Sequence, residues 1–366
     1  MNTNRLSAGG IITVISLGLA GATTAGVLNP PAGPVSPSMK TLSEVEPRII
    51  VNATNTPGDP DSVYKISLPG SYYLTGDLFG APGKSVIEIA ANDVTLDLSG
   101  YAVVGTVGSF YGIFVDFGSS PRGVHIRDGS IRAGAFGGIF AFTMNRSKVS
   151  RLSVLGAGGN GISVGDFAEI TDCIATDCLG QGITTGVSSL VSRCQATLCT
   201  FSGINVSERS RVADCVATSN TNIGIEAGMG STIERCTTQS NMVYGILANF
   251  YSMVAENTAR LNGQDGIRVA TGCVVRENLC QGNGSDDGGG GGAGIHAIAI
   301  NNRIENNHVM DNDRGIDVDM GSNVVVRNSA GDNTIDYDVA GGNVLGPIVD
   351  SANVAADDHP HGNYRF

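Results

Sequence analysis

The sequence predicts an all-β fold, a single-stranded parallel β-helix (solenoid) of about ten to twelve coils, and three observations carry that prediction. The dipeptide Gly-Ile returns at Gly112, Gly138, Gly161, Gly182, Gly203, Gly224, Gly245, Gly266, Gly294 and Gly315, with gaps of 26, 23, 21, 21, 21, 21, 21, 28 and 21 residues. An apolar column keeps the same phase at Ile170, Val191, Val212, Ile233, Val254, Val275, Ile304 and Val325. Within each unit, runs such as Gly161-Ile-Ser-Val164 alternate apolar and polar residues between Gly, Asn, Ser and Asp, which is the period of a half-buried strand bounded by turns. Helical repeats need roughly 33 to 47 residues, and leucine-rich repeats need a leucine pattern absent here. One unit per coil, stacked at about 4.8 Å, fits the period. In the last two units the apolar column slips one residue against Gly-Ile, which predicts a small register shift.

The elements follow in order. Residues 1–22 carry Arg5, an apolar stretch from Ile11 to Leu19 and the small triplet Ala20-Gly21-Ala22, the pattern of a secretory signal peptide. Residues 23–45 form a Pro-rich linker, 46–84 an N-terminal cap, 85–345 the β-helix, and 346–366 a C-terminal tail whose Tyr364 and Phe366 cover the last coil. Two polar columns mark turns: Cys173, Cys194, Cys215, Cys236, Asn257, Asn278, Asn307, Asn328, and Cys178, Cys199, Asn220, Asn241, Asn262, Asn283, Asn312, Asn333. Stacked Asn side chains bond to their counterparts one coil away and satisfy buried turn backbone. Six of the eight cysteines sit in these columns, with Cys273 and Cys280 outside them. Parallel Cβ vectors aim stacked sulfurs poorly for a bridge, so buried free thiols are expected. Of the 52 glycines, ten mark strand starts, five form one run, and others are expected at corners needing positive φ.

Composition excludes several partners. Twenty-two Lys and Arg against 34 Asp and Glu give a net charge of −12, with no basic cluster, which argues against nucleic acid. No apolar run past the N-terminus reaches the roughly 18 residues of a membrane span. No membrane insertion of the mature chain is expected, and a monomer is.

The Gly-Ile…Val-x-x-Asn/Cys-x-Ala…Asn repeat, over about residues 85–340, resembles the right-handed parallel β-helix repeat of the pectate-lyase-like superfamily. That group includes pectate lyases, polygalacturonases and alginate-modifying enzymes. The segment Pro69–Leu78, followed by Val86–Ile89 and Val94–Leu98, is similar to the start of the helix in secreted bacterial members of unassigned activity. The resemblance implies a right-handed coil, a secreted, periplasmic or cell-surface location, and a polysaccharide partner. It does not by itself imply an activity. The Asn-Thr-Asp of polygalacturonases and the Tyr-Asp-Pro-His type signature of alginate epimerases are both absent.

Chemistry is expected on the Gly-Ile strand face, where the third residue points to solvent. That position begins with Phe114 and Phe140, becomes small and polar, and ends with Arg268, His296 and Asp317, with Asp319 two residues on. Arg268, His296, Asp317 and Asp319 are the catalytic candidates: Arg268 or His296 as base for uronate cleavage, Asp317 and Asp319 as cation ligands. Glu226, Tyr244, Asp265, Arg314, Phe114 and Phe140 are the substrate-binding candidates. The aromatic pair either stacks on sugar or packs beneath an N-terminal loop. The one large insertion, within Gly284–Gly294, precedes the strand of His296 and contains Asp286 and Asp287, candidate Ca²⁺ ligands. Two readings stay open: a secreted protein that binds a polysaccharide and cleaves it, as a lyase before a hydrolase, or a non-catalytic surface or matrix rod. A solvated face with ordinary salt bridges is the bland reading of the same residues.

Overall fold

The computed structural model describes residues 47–115, 118, 121–132, 136–284, 291–354 and 360–366; the expected signal peptide and the whole of the linker lie outside them. Each coil has three short strands. In one, the strand Ile162–Val164 is followed by Glu169–Thr171 and Ile174–Thr176, and every strand pairs in parallel with its equivalent one coil on. The Gly-Ile strands form one sheet of thirteen. This exceeds the expected ten to twelve coils because strands Ser62–Ile66, Ser85–Ile89 and Ile335–Val339 join the sheet in register without a Gly-Ile signature.

The coil is built from its corners. At each one, a residue in the left-handed region is followed by an inward-facing small or polar residue: Phe167 (φ 55°) before Ala168, Asp172 (φ 57°) before Cys173, Asp177 (φ 56°) before Cys178. Glycine takes these corner positions at Gly156, Gly230, Gly272 and Gly282, as expected, and non-glycine residues take most of the others. Their conformational cost, about 1–2 kcal/mol each, is offset where the following side chain bonds to the next coil. Asn241, for example, accepts from the Asn220 N–H (3.1 Å) and Nδ2 (2.9 Å) and donates to Asn262 Oδ1 (3.0 Å) and the Ala217 carbonyl (3.1 Å). Outside, the left-handed residues of successive coils pair: Arg193 with Asp172 at 2.7 Å, Arg235 with Asp214 at 2.8 Å.

A third ladder occupies the corner after the Gly-Ile strand. It runs Ser189, Ser210, Ser231 and Ser252, each hydroxyl accepting from the preceding coil's backbone N–H at 3.1–3.2 Å, and continues through Cys273, Asn302, Asn323 and Asn343. Cys273 is therefore a ladder residue. Cys280 takes the small apolar column, pairing with Ala259 and Val309. All eight thiols are buried and unbridged. Burial pushes the Cys280 thiol well up.

The repeating glycine is a close-approach residue. A Cβ on Gly224 would lie 2.6 Å from the Gly245 carbonyl oxygen and 2.7 Å from Asn241 Nδ2. The following Ile and the residue two further on face inward, as Ile162 and Val164 do; each buried Ile contributes about 1.5–3 kcal/mol. The expected register shift does not occur. Ile267, Ile295 and Ile316 stay paired, and so do Val275, Ile304 and Val325, because the extra residue is absorbed in the corner between them. At the far end, strand Asn363–Arg365 pairs with Ser329–Gly331, and Asn363 closes the first ladder by accepting from Asn328.

Candidate functional site

Strand pairing lines up the outward residues of the Gly-Ile sheet. Glu226, Leu247, Arg268, His296, Asp317 and Asp338 are successive partners. Tyr244 and Asp265 sit one residue before Gly-Ile, and Arg314 does the same two coils after Asp265. The parallel register thus brings Tyr244, Asp265, Arg268, His296, Arg314, Asp317 and Asp319 together over neighbouring coils.

His296 is the centre of this group, with only 9% of its surface exposed. Its Nδ1 lies 3.0 Å from Asp265 Oδ2, and Arg268 Nη1 donates to that same oxygen at 2.8 Å. Asp265 Oδ1 accepts from the Ala293 N–H at 2.9 Å. One carboxylate therefore holds the imidazole, the guanidinium and the chain leaving the insertion. Arg268 Nη1 and His296 Nδ1 both turn to Oδ2 and lie 3.0 Å apart, and a proton on Nδ1 suits the pair with Asp265. Nε2 faces Asp319 at 3.2 Å and Asp317 at 3.8 Å. Burial lowers the basicity of His296, but the Asp265 hydrogen bond and charge, with Asp317 adding to them, outweigh it and leave the pKa raised. Burial also pushes the Asp317 carboxyl up, against the opposing charges of His296 and Arg314.

The structure divides the sequence candidates by exposure. Asp265 is 1% exposed, so it reaches a ligand through His296 and Arg268 and not by contact. Arg268 is bound to Asp265 and lies 5.1 Å over the Tyr244 ring, an arrangement that holds a cation in place. Arg314 donates to Asp317 at 3.0 Å and contacts Asp338 at 3.1 Å. Asp319 is a half-exposed carboxylate beside His296 Nε2. Glu226 stands apart, two coils away, accepting from Asn205 (2.8 Å) and Ser202 (3.0 Å). Phe114 and Phe140 stack with centroids 6.3 Å apart, Tyr111 lying against both. Asp286 and Asp287 lie outside the described residues.

His296 Nε2, Asp317 and Asp319 offer three donor atoms within 4.8 Å of one another. Calcium takes six to eight oxygens, whereas this set has one nitrogen and two carboxylates, one of them already bound by Arg314. The described residues do not fit Ca²⁺, and no step below passes through it. A separate surface depression of about 480 Å³, lined by Phe167, Glu169, Leu190, Arg209 and Arg211 among others, lies at the serine-ladder corner. Its arginines are answered by Glu208 and Glu234, so it gathers no unanswered chemistry.

Among the described residues, no helix is long and apolar enough to cross a membrane. The family described as right handed beta helix region matches residues 105–222 and 221–344. Among solved structures, the A-module of mannuronan C-5 epimerase AlgE6 from Azotobacter vinelandii superposes with a TM-score of 0.60 at 15% identity, over 76% of this chain and 89% of that one. The AlgE4 A-module from the same organism gives 0.59 at 17% identity, over 80% and 90%. A mutant of the periplasmic alginate epimerase AlgG gives 0.53 at 11%, over 81% and 83%. At these identities the likeness is one of fold. No curated protein matches the chain by sequence.

Proposed function

The chain belongs to the right-handed β-helix family, and from that premise we propose that it is an exported protein that binds a polyuronate along its Gly-Ile face and abstracts the C5 proton of a uronate sugar. The observation that carries this reading is the Asp265–His296 pair, which holds the imidazole at Nδ1 with Nε2 on the side of Asp319. A proton on the carbon next to a carboxylate becomes acidic enough to remove only when the carboxylate charge is neutralised. Arg268, held by Asp265 and Tyr244, supplies the nearest cation and Arg314 a second. His296 takes the proton. In the elimination, the C5 electron pair forms the C4–C5 double bond, the glycosidic bond at C4 breaks, and water protonates the leaving oxygen. Epimerisation shares the first step, and the named activity of the structural neighbours AlgE6 and AlgE4 supports uronate as the substrate class. Hydrolysis is less well supported, because it needs an independent acid and base carboxylate, while Asp317 is engaged by Arg314.

The test is turnover on mannuronan, guluronate-rich alginate, polygalacturonate and neutral glycans, with and without Ca²⁺, read by unsaturated product and by C5 inversion. Activity on a polyuronate that His296→Ala lowers by about 10²–10⁴-fold is expected. Absence of turnover by the intact protein on every polyuronate overturns the catalytic reading and leaves the non-catalytic rod.

A further inference from the structure

The point that His296 Nε2 faces is crowded with electron-rich atoms. With its proton on Nδ1, toward Asp265, the imidazole turns the lone pair of Nε2 to Asp319 Oδ2 at 3.2 Å and Asp317 Oδ2 at 3.8 Å. A lone pair and two anionic oxygens repel one another unless a positive centre stands among them. A proton on Nε2 serves one of these oxygens, whereas a metal ion serves all three atoms at once. The separations suit such an ion, because ligands 2.0–2.2 Å from a tetrahedral centre stand about 3.3–3.6 Å apart.

Charge agrees with this geometry. Asp265, Asp317, Asp319 and Asp338 are set against Arg268 and Arg314, which leaves two negative charges around a neutral imidazole, the complement of a dication. Behind the ring, Asp265 is buried and is itself held by Arg268 and the Ala293 N–H. A carboxylate on the far nitrogen of a metal-binding histidine fixes the ring and strengthens it as a donor; an ordinary surface ion pair has no such backing. Arg314 does not close the site, since a carboxylate offers two oxygens and Arg314 is shared with Asp338. The set that is too poor in oxygen for Ca²⁺ is suited to an ion that takes nitrogen and oxygen ligands in fours, with the fourth position left to water.

We propose that His296, Asp317 and Asp319 bind one first-row transition-metal dication, with Zn²⁺ as its probe, and that the bound ion silences the base. The silencing rests on the reading of His296 as base above: an ion on Nε2 occupies the lone pair that would take the C5 proton. The binding itself does not depend on that reading.

The experiment titrates EDTA-stripped intact protein with Zn²⁺ by calorimetry and with Co²⁺ by visible absorption, in the absence of glycan. One ion per chain is expected, with the intense visible bands of four-coordinate Co²⁺, and with neither Ca²⁺ nor Mg²⁺ displacing it. His296→Ala and Asp319→Ala should each weaken binding by about 100-fold or more, and Asp265→Asn by about 10–100-fold. Asp338→Asn removes the same charge without removing a ligand and should stay within about threefold of the intact protein. The double variant His359→Ala/His361→Ala removes the histidines of the tail and should bind as the intact protein does. Asp319 is half exposed, so Asp319→Ala carries the test should His296→Ala melt early. Zn²⁺ should also abolish polyuronate turnover, and EDTA should restore it. If no polyuronate is turned over with or without metal, the base reading fails and the metal site stands on the binding data. If the intact protein binds Zn²⁺ no more tightly than Mg²⁺, or if Asp319→Ala binds it as tightly as the intact protein, the site is overturned. Unchanged turnover at saturating Zn²⁺ overturns the silencing.

Discussion

At the scale of single residues, the site turns on a carboxylate that the sequence marks only as the residue before a Gly-Ile pair. The two-residue alternation of a strand places His296 and Asp317 on one face, but says nothing of depth, and it is depth that makes Asp265 an organiser. Two expectations follow. His296 has a raised pKa in the folded protein, so its charged form stabilises the fold fully below the unfolded-state pKa, and that contribution is lost as pH rises through the folded one. A base acts in its neutral form, so kcat/KM is expected to climb with pH around a midpoint above that of an ordinary histidine. Asp265→Asn should move that midpoint down and lower kcat by about a hundredfold or more, because the amide removes the charge and no longer favours the Nδ1–H tautomer. A pH–rate profile of both forms, with an NMR titration of the imidazole, checks this; an unmoved midpoint contradicts the assigned pair. Asn241 gives a stability counterpart. Asn241→Ala strands the Asn220 N–H and amide and should cost about 2–4 kcal/mol in urea unfolding. Asn241→Cys should cost less, since Cys178 and Cys199 already fill the same column.

At the scale of the element, the strand periods and two of the three ladders are legible because Asn and Cys repeat conspicuously. The serine ladder escapes notice because its column mixes Ser, Cys and Asn. The corner glycines are legible, but the polar and charged residues that share their conformation, such as Asp172, Arg193 and Asp214, are not, because the neighbouring coil holds them there. The stacked aromatic group is partly legible, through Phe114 and Phe140, while Tyr111 falls outside the outward column. The glycine of each Gly-Ile strand is fixed by contact, so Gly224→Ala should destabilise by about 1–3 kcal/mol through overpacking, read as a lower unfolding midpoint. The insertion behaves oppositely. Gly284 and Gly292 lie against each other, and Gly284 keeps the backbone bond to the Asn262 carbonyl that Gly263 makes to Asn241. The coil thus closes at the foot of the insertion, and deleting residues 285–291 restores the regular spacing between Asn283 and Gly294. Stability within about 0.5 kcal/mol of the intact chain is expected; a large loss by calorimetry would show that the insertion props up the coil beneath it.

At the scale of the whole solenoid, each coil is stabilised mainly by its neighbours, so the ends carry the risk. An uncovered terminal coil presents unpaired backbone and half-satisfied ladders, a template for another chain. The C-terminal segment answers this for two corners at once. Asn363 accepts from the Asn328 N–H and Nδ2 and donates to the Val325 and Gly346 carbonyls. Strand Asn363–Arg365 covers Ser329 and Ala330, and Phe366 stacks on His308 at 5.6 Å. The apolar core continues to this last coil through Val325 and Ala330, with no thinning of the rung that would end it by itself. Removing residues 360–366 should therefore leave most of the rod folded while exposing a sticky end. The expected outcome is a modest fall in the unfolding midpoint together with concentration-dependent, end-to-end association in sedimentation velocity. Asn363→Ala in the full chain should reproduce part of the stability loss without the association, because the covering strand remains. If the truncated chain stays monomeric at all concentrations, the segment is an ornament of the last coil and the solenoid is capped by other means.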